Sequence, residues 1–529
     1  MSTHRVAPVR RRPARRSRRE QLAFVGLREQ LEPTAAQPRL ARRILNMRPK
    51  LEDTGGALMT RPGIFRMASG EAAGATRVQA TGQFTRQNGT SYTWRVKGGA
   101  LQTFDYGTST WATVASGTGV LDVSARVGWV VFADRLVLSD GIGRPITWTG
   151  SAFATLATCP VLYGPPTVFY ARLVGIKSTD RLTIVWSEVN DPALGYDAAP
   201  YNNAWTLGQT DQEPLEALRA TNEALYYWRE RSIGTITGQV SQEWRSTGVQ
   251  DSVSLTLGTR SPFAITSYDT AFYFLDAEAR PQRLPFGGRV QEPEIWEAMD
   301  QTVGRIPVSG LAGATAEAVT EFGVVLLGVP SSSASSTNDQ LLVFDGKDGT
   351  ALAIWNGFPF DVLSLHIDGS AALTLAIGTD DGVSYHLGHA NSAVYDDQLA
   401  SGTVAIEHVV TGTPLRYDVS ADSRFDRLDL ALRFVTSVAE LSAQIRTPYG
   451  RSPSVSVSGT GSGTARWDVA RWDVARWGAP ADDTHRTLGF AQMGRWAEVT
   501  VRHQALGEAF SLLGYALDAV TESTAPRVP

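Results

Sequence analysis

Residues 129–148 form the stretch that decides the fold, WVVFADRLVLSDGIGRPITW. Its apolar runs VVF, LVL and PITW are separated by the turn-forming segments AD and SDG. β-Branched and aromatic residues between such turns predict a tight antiparallel meander. One meander is a small sheet that cannot bury both of its faces, so we expect similar units to pack beside it.

The meander pattern occurs seven times along the chain. The units cover about residues 80–114, 129–156, 168–189, 215–238, 263–286, 318–355 and 363–387. A unit of roughly 40–50 residues with about four strands is typical of a β-propeller blade. We predict an all-β fold with a β-propeller of six or seven blades, since the first or last unit could merely complete another blade. An all-β protein with ordinary meanders is the alternative.

Composition limits the class of protein. Of the 529 residues, 43% are hydrophobic and 19% are charged, which is typical of a globular chain. The single cysteine, Cys159, excludes an intrachain disulfide and a multi-cysteine zinc site, and suits a reducing compartment. The sequence contains no run of eighteen apolar residues, so it predicts no membrane-spanning helix, and the basic N-terminus lacks the apolar segment of a secretory signal.

The net charge of −4 conceals a division between the N-terminus and the rest of the chain. Residues 1–50 hold 14 Lys and Arg against 3 Glu, a net charge of +11, whereas residues 51–529 have a net charge of −15. The first twenty residues, with few apolar side chains, predict a largely disordered basic arm, and a short helix is plausible over residues 19–30. The arginines of this arm are the candidate partner-binding residues: Arg10, Arg11, Arg12, Arg15, Arg16, Arg18 and Arg19.

Three interpretations of the arm remain open. It could be a solvated tail, an arm that contacts nucleic acid, or a segment that folds against an acidic partner subunit. Arginine binds phosphate and carboxylate groups equally well in bidentate geometry, so the composition does not separate the last two.

Changes in sequence texture divide the chain into four parts. We predict the basic arm over 1–40, an extended lead-in over 41–77, the propeller with inserted loops over 78–400, and a β-sandwich-like domain over 401–529. The last part contains the repeat RWDVARWDVARWG at residues 466–478, which places tryptophans at intervals of five residues. This spacing gives an aromatic stripe on neither a strand nor a helix.

Residues that could carry chemistry are sparse. No phosphate-binding loop is present, and His386 and His389, the only close histidine pair, would lie on opposite faces of a strand. The Asp-Gly segments at 345–349 and 380–382 resemble calcium loops or the Asp boxes of sialidases only loosely, and are better explained as hairpin turns. Cys159 is best explained as a buried structural thiol. We therefore predict no enzyme, metal or cofactor.

Several short motifs, in order, resemble those of bacteriophage tail proteins of the propeller type, known as nozzle, tail-tube B or head–tail stabilisation proteins. The resemblance covers about residues 40–390. It rests on these segments: NMRP at 46–49, GGAL at 55–58, RPGI at 61–64, ADRL at 133–136 with DG at 140–141 and RP at 144–145, WSE at 186–188 with NDP at 190–192, NEALYY at 222–227, GTI at 234–236, and FLD at 274–276 with RPQ at 280–282.

The resemblance implies a structural virion protein, assembled in the host cytoplasm. It would form a ring, as a hexamer, around the DNA ejection channel below the portal and adaptor and next to other tail subunits. Acidic walls would let viral DNA pass without sequence-specific binding, because phosphate pairing would slow its passage. Two alternatives are a carbohydrate-binding or carbohydrate-cleaving propeller for host attachment, with Trp111, Trp205 or Trp467 stacking on sugars, and a cellular propeller scaffold.

Overall fold

The computed structural model describes residues 15–21, 24, 26–29, 40–49, 57–207, 213–241, 244–291, 294–335, 337–388, 394–416, 423–434, 436, 438–459 and 484–521. Nearly all of its regular structure is β-strand. Within these ranges no helix is both long and apolar enough to cross a bilayer. The chain divides into two compact units, one made of residues 62–406 and the other of residues 1–61 together with 407–529.

The described residues of the first part of the chain contribute five short strands. They are β1 (Arg15–Gln21), β2 (Gly26–Leu27), β3 (Leu40–Leu45), β4 (Met47–Pro49) and β5 (Leu58–Thr60). Asn46, with a φ of 52°, makes the sharp turn between β3 and β4, a conformation that asparagine adopts more readily than most residues.

The described residues of 62–406 form seven antiparallel strand groups, which we call blades, and one separate two-stranded hairpin. The segment opens with β6 (Ile64–Arg66). Blade one contains β7 (Val78–Thr85), β8 (Ser91–Lys97), β9 (Ala100–Asp105) and β10 (Thr110–Thr113), and blade two contains β11 (Gly128–Phe132), β12 (Arg135–Ser139), β13 (Ile146–Trp148) and β14 (Phe153–Thr155). Blade three contains β15 (Leu162–Phe169), β16 (Arg172–Lys177), β17 (Thr183–Glu188), β18 (Asp191–Gly195) and β19 (Ala204–Thr206). Blade four contains β20 (Leu215–Ala220), β21 (Ala224–Arg229), β22 (Ile233–Thr237) and β23 (Val249–Ser254).

The remaining three blades complete the ring. Blade five contains β24 (Ile265–Tyr268), β25 (Ala271–Leu275) and β26 (Pro281–Pro285). Blade six contains β27 (Thr315–Val319), β28 (Val324–Val329), β29 (Asn338–Asp345) and β30 (Ala351–Phe360). Blade seven contains β31 (Val362–Ile367), β32 (Leu373–Gly378) and β33 (Ser384–Leu387). Two short helices, α1 (Trp244–Thr247) and α2 (Asp300–Val303), and four 3-10 turns at 115–117, 295–299, 308–313 and 320–322 lie between strands. Between residues 241 and 260, buried Trp244 lies in α1, and β23 pairs with β22 to continue blade four.

The blades close into a seven-bladed propeller. Consecutive strands of a blade pair with each other, except that β19 of blade three pairs with β17. The first strand of blade seven, β31, packs against β7, the first strand of blade one. The fourth strand of blade seven is β6, in which Phe65 lies opposite His386 of β33. The prediction of a propeller is confirmed and its blade number is seven. The predicted lead-in supplies the closing strand, since the last unit would otherwise keep an unpaired edge.

The opening stretch of the sequence is blade two. Ala133 and Asp134, with φ of 51° and 57°, form the two-residue turn between β11 and β12. Leu136 packs into a core shared with blade one, whereas Val137, which points to the other side, joins a core shared with blade three. Both faces of β12 are therefore covered by neighbouring blades, and this explains its continuous apolar run. Burying each such side chain stabilises the fold by roughly 1.5–3 kcal/mol.

The last part of the chain is also built of strands. A hairpin, β34 (Asp396–Leu399) and β35 (Gly402–Ala405), ends the propeller unit. The other unit continues with β36 (His408–Gly412), β37 (Leu415–Arg416), β38 (Ser423–Phe434), β39 (Val438–Thr447), β40 (Gly450–Arg451), β41 (Val455–Gly459), β42 (Thr484–Gly494), β43 (Trp496–His503) and β44 (Phe510–Thr521).

This second unit is a two-sheet domain formed from both ends of the chain. One sheet has the order β4-β5-β44-β38-β42, with β1 also paired to β44, and the other contains β3-β36-β43-β39 with the short strands β2, β37, β40 and β41. Phe510 of the first sheet contacts the rings of His408 and His503 of the second, at centroid distances of 6.2 and 5.4 Å. The expected sandwich-like domain over 401–529 is thus completed by β1–β5, and the propeller unit extends beyond the expected 78–400 to 62–406.

Part of the basic arm is ordered, which corrects the prediction for residues 1–40. Residues 15–21 form β1, antiparallel to β44, with Arg18 opposite Asp518, and no helix is found among the described residues of 19–30. The backbone hydrogen bonds to β44 provide the partner that the arm lacks in isolation. Residues 1–14 and the tryptophan repeat at 466–478 lie outside the described residues.

Candidate axial site

Charged side chains line a cavity on the axis of the propeller. The cavity has a volume of about 290 Å³, and every blade contributes to its wall. The first strand of each blade is its innermost strand. Each innermost strand, or the loop before it, contributes at least one lining residue: Thr81, Gly128, Pro165, Arg219, Ile265, Thr315, Glu317 and Val362. Arg126, two residues before β11, completes the charged set. The cavity is thus lined by charged residues from blades two, four and six, namely Arg126, Arg219 and Glu317.

A wider depression of about 670 Å³ lies on one face of the propeller. Its wall comes from loops that precede innermost strands or that join the second and third strands of blades, including Arg77, Val123, Asp361 and Asp380. Arg77 and Asp361 form a salt bridge of 3.1 Å within it. Burial raises the pKa of Asp361, and the positive charges of Arg77 and Arg126 partly oppose that rise. Asp361 therefore links this depression electrostatically to the axial cavity.

Arg126 connects blade two to the segment before blade six. Its Nη1 donates to the carbonyl oxygens of Ala314 at 2.7 Å and Gly313 at 3.1 Å, and its guanidinium lies 4.1 Å from the centroid of the Phe263 ring. Desolvation lowers the pKa of Arg126 to about 9, so that it stays charged at neutral pH. Its Nε makes no hydrogen bond to any described residue.

Arg219 connects blade four to blade five. Its Nη2 donates to the carbonyl oxygens of Pro262 at 3.0 Å and Ile265 at 3.1 Å, and its Nη1 donates to Leu218 O at 2.8 Å. Desolvation lowers the pKa of Arg219 to about 10, against an opposing effect of Glu317. Both arginines are therefore cations held in place by backbone carbonyl groups.

Glu317 is the acid of the cavity. Burial raises the pKa of its carboxyl group to about 7, although the Ala318 amide, which donates to Oε1 at 3.1 Å, and the charge of Arg219 favour ionisation. A carboxyl group with such a pKa changes its charge in the physiological range, which is common in functional sites. The arrangement can bind and release a proton beside two fixed cations.

The sequence interpretation missed all three of these residues. A usable signal was present, because Arg219 and Glu317 interrupt the short innermost strands LEALRA and TAEAV, in which most other residues are apolar or small. Their convergence could not be inferred, since they lie about a hundred residues apart on different blades.

The arginines predicted to bind a partner lie elsewhere. Arg15, Arg16, Arg18 and Arg19 lie on β1, in the unit that does not contain the axial cavity. Arg10, Arg11 and Arg12 are outside the described residues. The structure therefore places four of the seven on one strand and brings none of them into the axial site.

The acidic segments behave as turns, as expected. The Asp345 carboxylate accepts hydrogen bonds from the amides of Lys347 and Asp348, and Asp381 accepts one from the hydroxyl of Thr379. Across the described ranges, no three His, Cys, Asp or Glu side chains are grouped as metal ligands would be. Cys159 is buried between blades two and three, and desolvation raises the pKa of its thiol to about 12.

His386 has a partner that the sequence did not indicate. Its ring lies 4.7 Å from that of His366 and stacks on Phe65 at 5.2 Å, whereas His389 is outside the described residues. Both histidines are buried, and three of their four ring nitrogens make no hydrogen bond to a described residue. Desolvation lowers the pKa of His366 to about 3 and that of His386 to about 4, so the pair is neutral at pH 7.

The tryptophans considered for sugar stacking are engaged in packing. Trp111 is half-buried, with the Arg95 guanidinium 4.2 Å from its ring centroid. Trp205 is half-buried with its ring at right angles to Trp244. Trp467 is outside the described residues.

Comparison with known proteins leaves the family open. No family model and no curated protein matches the chain. Among solved structures, BamB from Moraxella catarrhalis is similar at 11% identity and a TM-score of 0.37, over 66% of this chain and 95% of that one. BBS1N, solved in complex with ARL6DN, is similar at 11% identity and a TM-score of 0.39, over 63% of this chain and 97% of that one. The propeller assignment rests on strand order and ring closure, and these scores add no functional argument.

Proposed function

We propose that this chain is a structural, non-enzymatic subunit of a bacteriophage tail. In this proposal it forms a homo-oligomeric ring, a hexamer, around the DNA ejection channel below the portal and adaptor. The ring is assembled in the host cytoplasm and remains in the virion. The order of short motifs over residues 40–390 supports this role.

The observation that carries the proposal is the open sheet of the sandwich-like domain. Within the described part of the chain, β42 pairs only with β38, and β1 pairs only with β44, which leaves a strand edge on each side of the sheet. Such edges accept strands of another chain. Contacts between two different edges are head-to-tail, and head-to-tail contacts generate rings when the rotation between subunits closes.

The division of charge gives a second reason for self-association. The propeller unit, residues 62–406, contains 21 Lys and Arg against 34 Asp and Glu, a net charge of −13, whereas residues 1–50 carry +11. A basic arm and an acidic propeller in neighbouring subunits attract one another, which favours and orients their association. An acidic channel wall also suits passing DNA, because it forms no phosphate contacts.

Oligomeric state tests the proposal directly. Native mass spectrometry of the full chain, alone and with its portal and adaptor, is expected to show a closed ring of six copies. A chain that remains monomeric in both samples refutes the proposal.

The arm can be tested without removing β1. A variant with Arg15, Arg16, Arg18 and Arg19 all replaced by Gln keeps the strand length but removes four charges. We expect a folded protein whose ring dissociates at lower salt than the wild-type ring. The matched control replaces four exposed arginines elsewhere: Arg231, Arg245, Arg305 and Arg451. Equal ring stability in both variants would show that the charges of the arm do not contribute to association.

A further inference from the structure

We infer that the axial cavity of the propeller binds a small oxyanion, a sulfate, phosphate or carboxylate group, through Arg126 and Arg219. This binding site goes beyond the structural role proposed above and does not depend on it.

The shape of the cavity suits a small ligand. Residues of all seven blades surround it, and its volume of about 290 Å³ accommodates an ion of a few heavy atoms. The cavity is itself partly open to solvent, so that a small ion can enter it. Three threonines, Thr81, Thr266 and Thr315, also belong to the lining.

The charge of the cavity is opposite to that of its surroundings. Two guanidinium groups and one carboxyl group line it, whereas the propeller unit as a whole has a net charge of −13. Guanidinium groups present their donors in a planar fork that matches the oxygens of an oxyanion. The lining therefore selects a small anion from solvent.

A purely structural role explains only part of this arrangement. The bonds from Arg126 to Ala314 and from Arg219 to Pro262 tie separate blades together, and each alone is a sufficient structural use of an arginine. They do not explain why two like charges and a single acid line one partly open space. Asp361 offsets part of the charge of Arg126 and Glu317 part of that of Arg219, but Arg126 Nε has no acceptor among the described residues, and a bound anion would supply one.

Glu317 makes the site sensitive to pH. The groups that act on it are Arg219 from β20 and the Ala318 amide, whereas Arg126, which lines the same cavity, interacts with Asp361 and Arg77. With Glu317 ionised, the cavity carries one net positive charge, and with Glu317 neutral it carries two. Affinity for an anion therefore rises as pH falls through about 7, where this carboxyl group titrates.

Equilibrium dialysis of the full chain with radiolabelled sulfate, at constant chloride concentration, tests the site. Sulfate keeps its charge between pH 5.5 and 8.5, so that any change in affinity belongs to the protein. If only the neutral form of Glu317 binds, the dissociation constant rises about 30-fold from pH 5.5 to 8.5, in proportion to the loss of the competent form. We expect one sulfate per chain and a change approaching this limit.

Two variants separate the site from the fold. Glu317→Gln should bind sulfate at pH 8.5 as the wild type does at pH 5.5. The control Glu223→Gln removes an exposed carboxylate from a turn of blade four and should keep the wild-type pH dependence. Arg219→Gln should lose binding, with circular dichroism as the check on its fold. Absence of stoichiometric sulfate binding at pH 5.5, or an unchanged pH dependence in a folded Glu317→Gln, would overturn the inference.

Discussion

The buried histidine pair of blade seven predicts a specific loss of stability in acid. His366 lies on the innermost strand β31, and His386 lies on β33, which holds the closing strand β6. The substitution His386→Gln removes one titrating ring and leaves the other in place. We expect the variant to be less stable than the wild type at pH 7, because its stacking on Phe65 is lost, but to lose less stability on acidification.

The size of the effect follows from proton binding. Burial lowers the pKa of His386 to about 4 and that of His366 to about 3, both from 6.5, so the unfolded chain takes up protons before the folded one. Stability is therefore unaffected above pH 6.5, falls as pH falls below it, and stops falling near the folded pKa values. Between pH 7 and pH 5 each histidine costs about 2 kcal/mol through this linkage.

Urea unfolding at pH 7 and pH 5 measures the difference. The free energy of unfolding of the wild type should fall by about 2 kcal/mol more than that of His386→Gln over this interval, whatever the carboxyl groups contribute to both. His366→Gln should give a similar difference. Parallel losses in the wild type and both variants would show that the histidines are not held neutral by burial, and the reasoning would fail.

Three further predictions concern packing between blades. Gly82→Val should destabilise the fold by about 1–3 kcal/mol, because a Cβ at this position would lie 2.8 Å from the ring of Trp129 and 3.0 Å from that of Trp94; a wild-type denaturation midpoint would contradict this. The thiol of Cys159 should react with a soluble thiol reagent only on unfolding, since it is buried and its pKa is raised to about 12, and rapid labelling of the native chain would count against the packing described. Ile64→Ala should cost about 2–5 kcal/mol by removing a fully buried side chain of β6, with the loss read in thermal unfolding of the propeller.

The blades were predictable because the residues that specify each hairpin are close together in the sequence. Each hairpin is encoded by a few adjacent residues, such as Gly98-Gly99, which both adopt positive φ in the turn between β8 and β9. Apolar runs between such turns then indicate strands covered on both faces. For this reason the seven units of the sequence correspond to seven blades in the structure.

Features that depend on distant partners were not predictable. The pairing of β6 with β33 joins residues more than three hundred positions apart, and nothing in Ile64–Arg66 alone distinguishes a closing strand from a loop. Arg18 on β1 gains a partner strand five hundred residues away, so its local charge density wrongly predicted disorder. The charged residues of the axial cavity likewise come together only when the ring of blades closes.

The order of strands in the sandwich-like domain has a mechanical consequence. Arg15 lies opposite Thr521, so a pull on the two ends of the described chain separates β1 from β44 one residue pair at a time. The segments that flank the propeller are also linked to each other, since the Asn46 side chain donates to Glu407 O at 2.9 Å. Residues 62–406 are bypassed by this path, because the segment lies between Arg61 and Glu407. Under tension the arm yields first, and the blades carry load only after the flanking segments have parted.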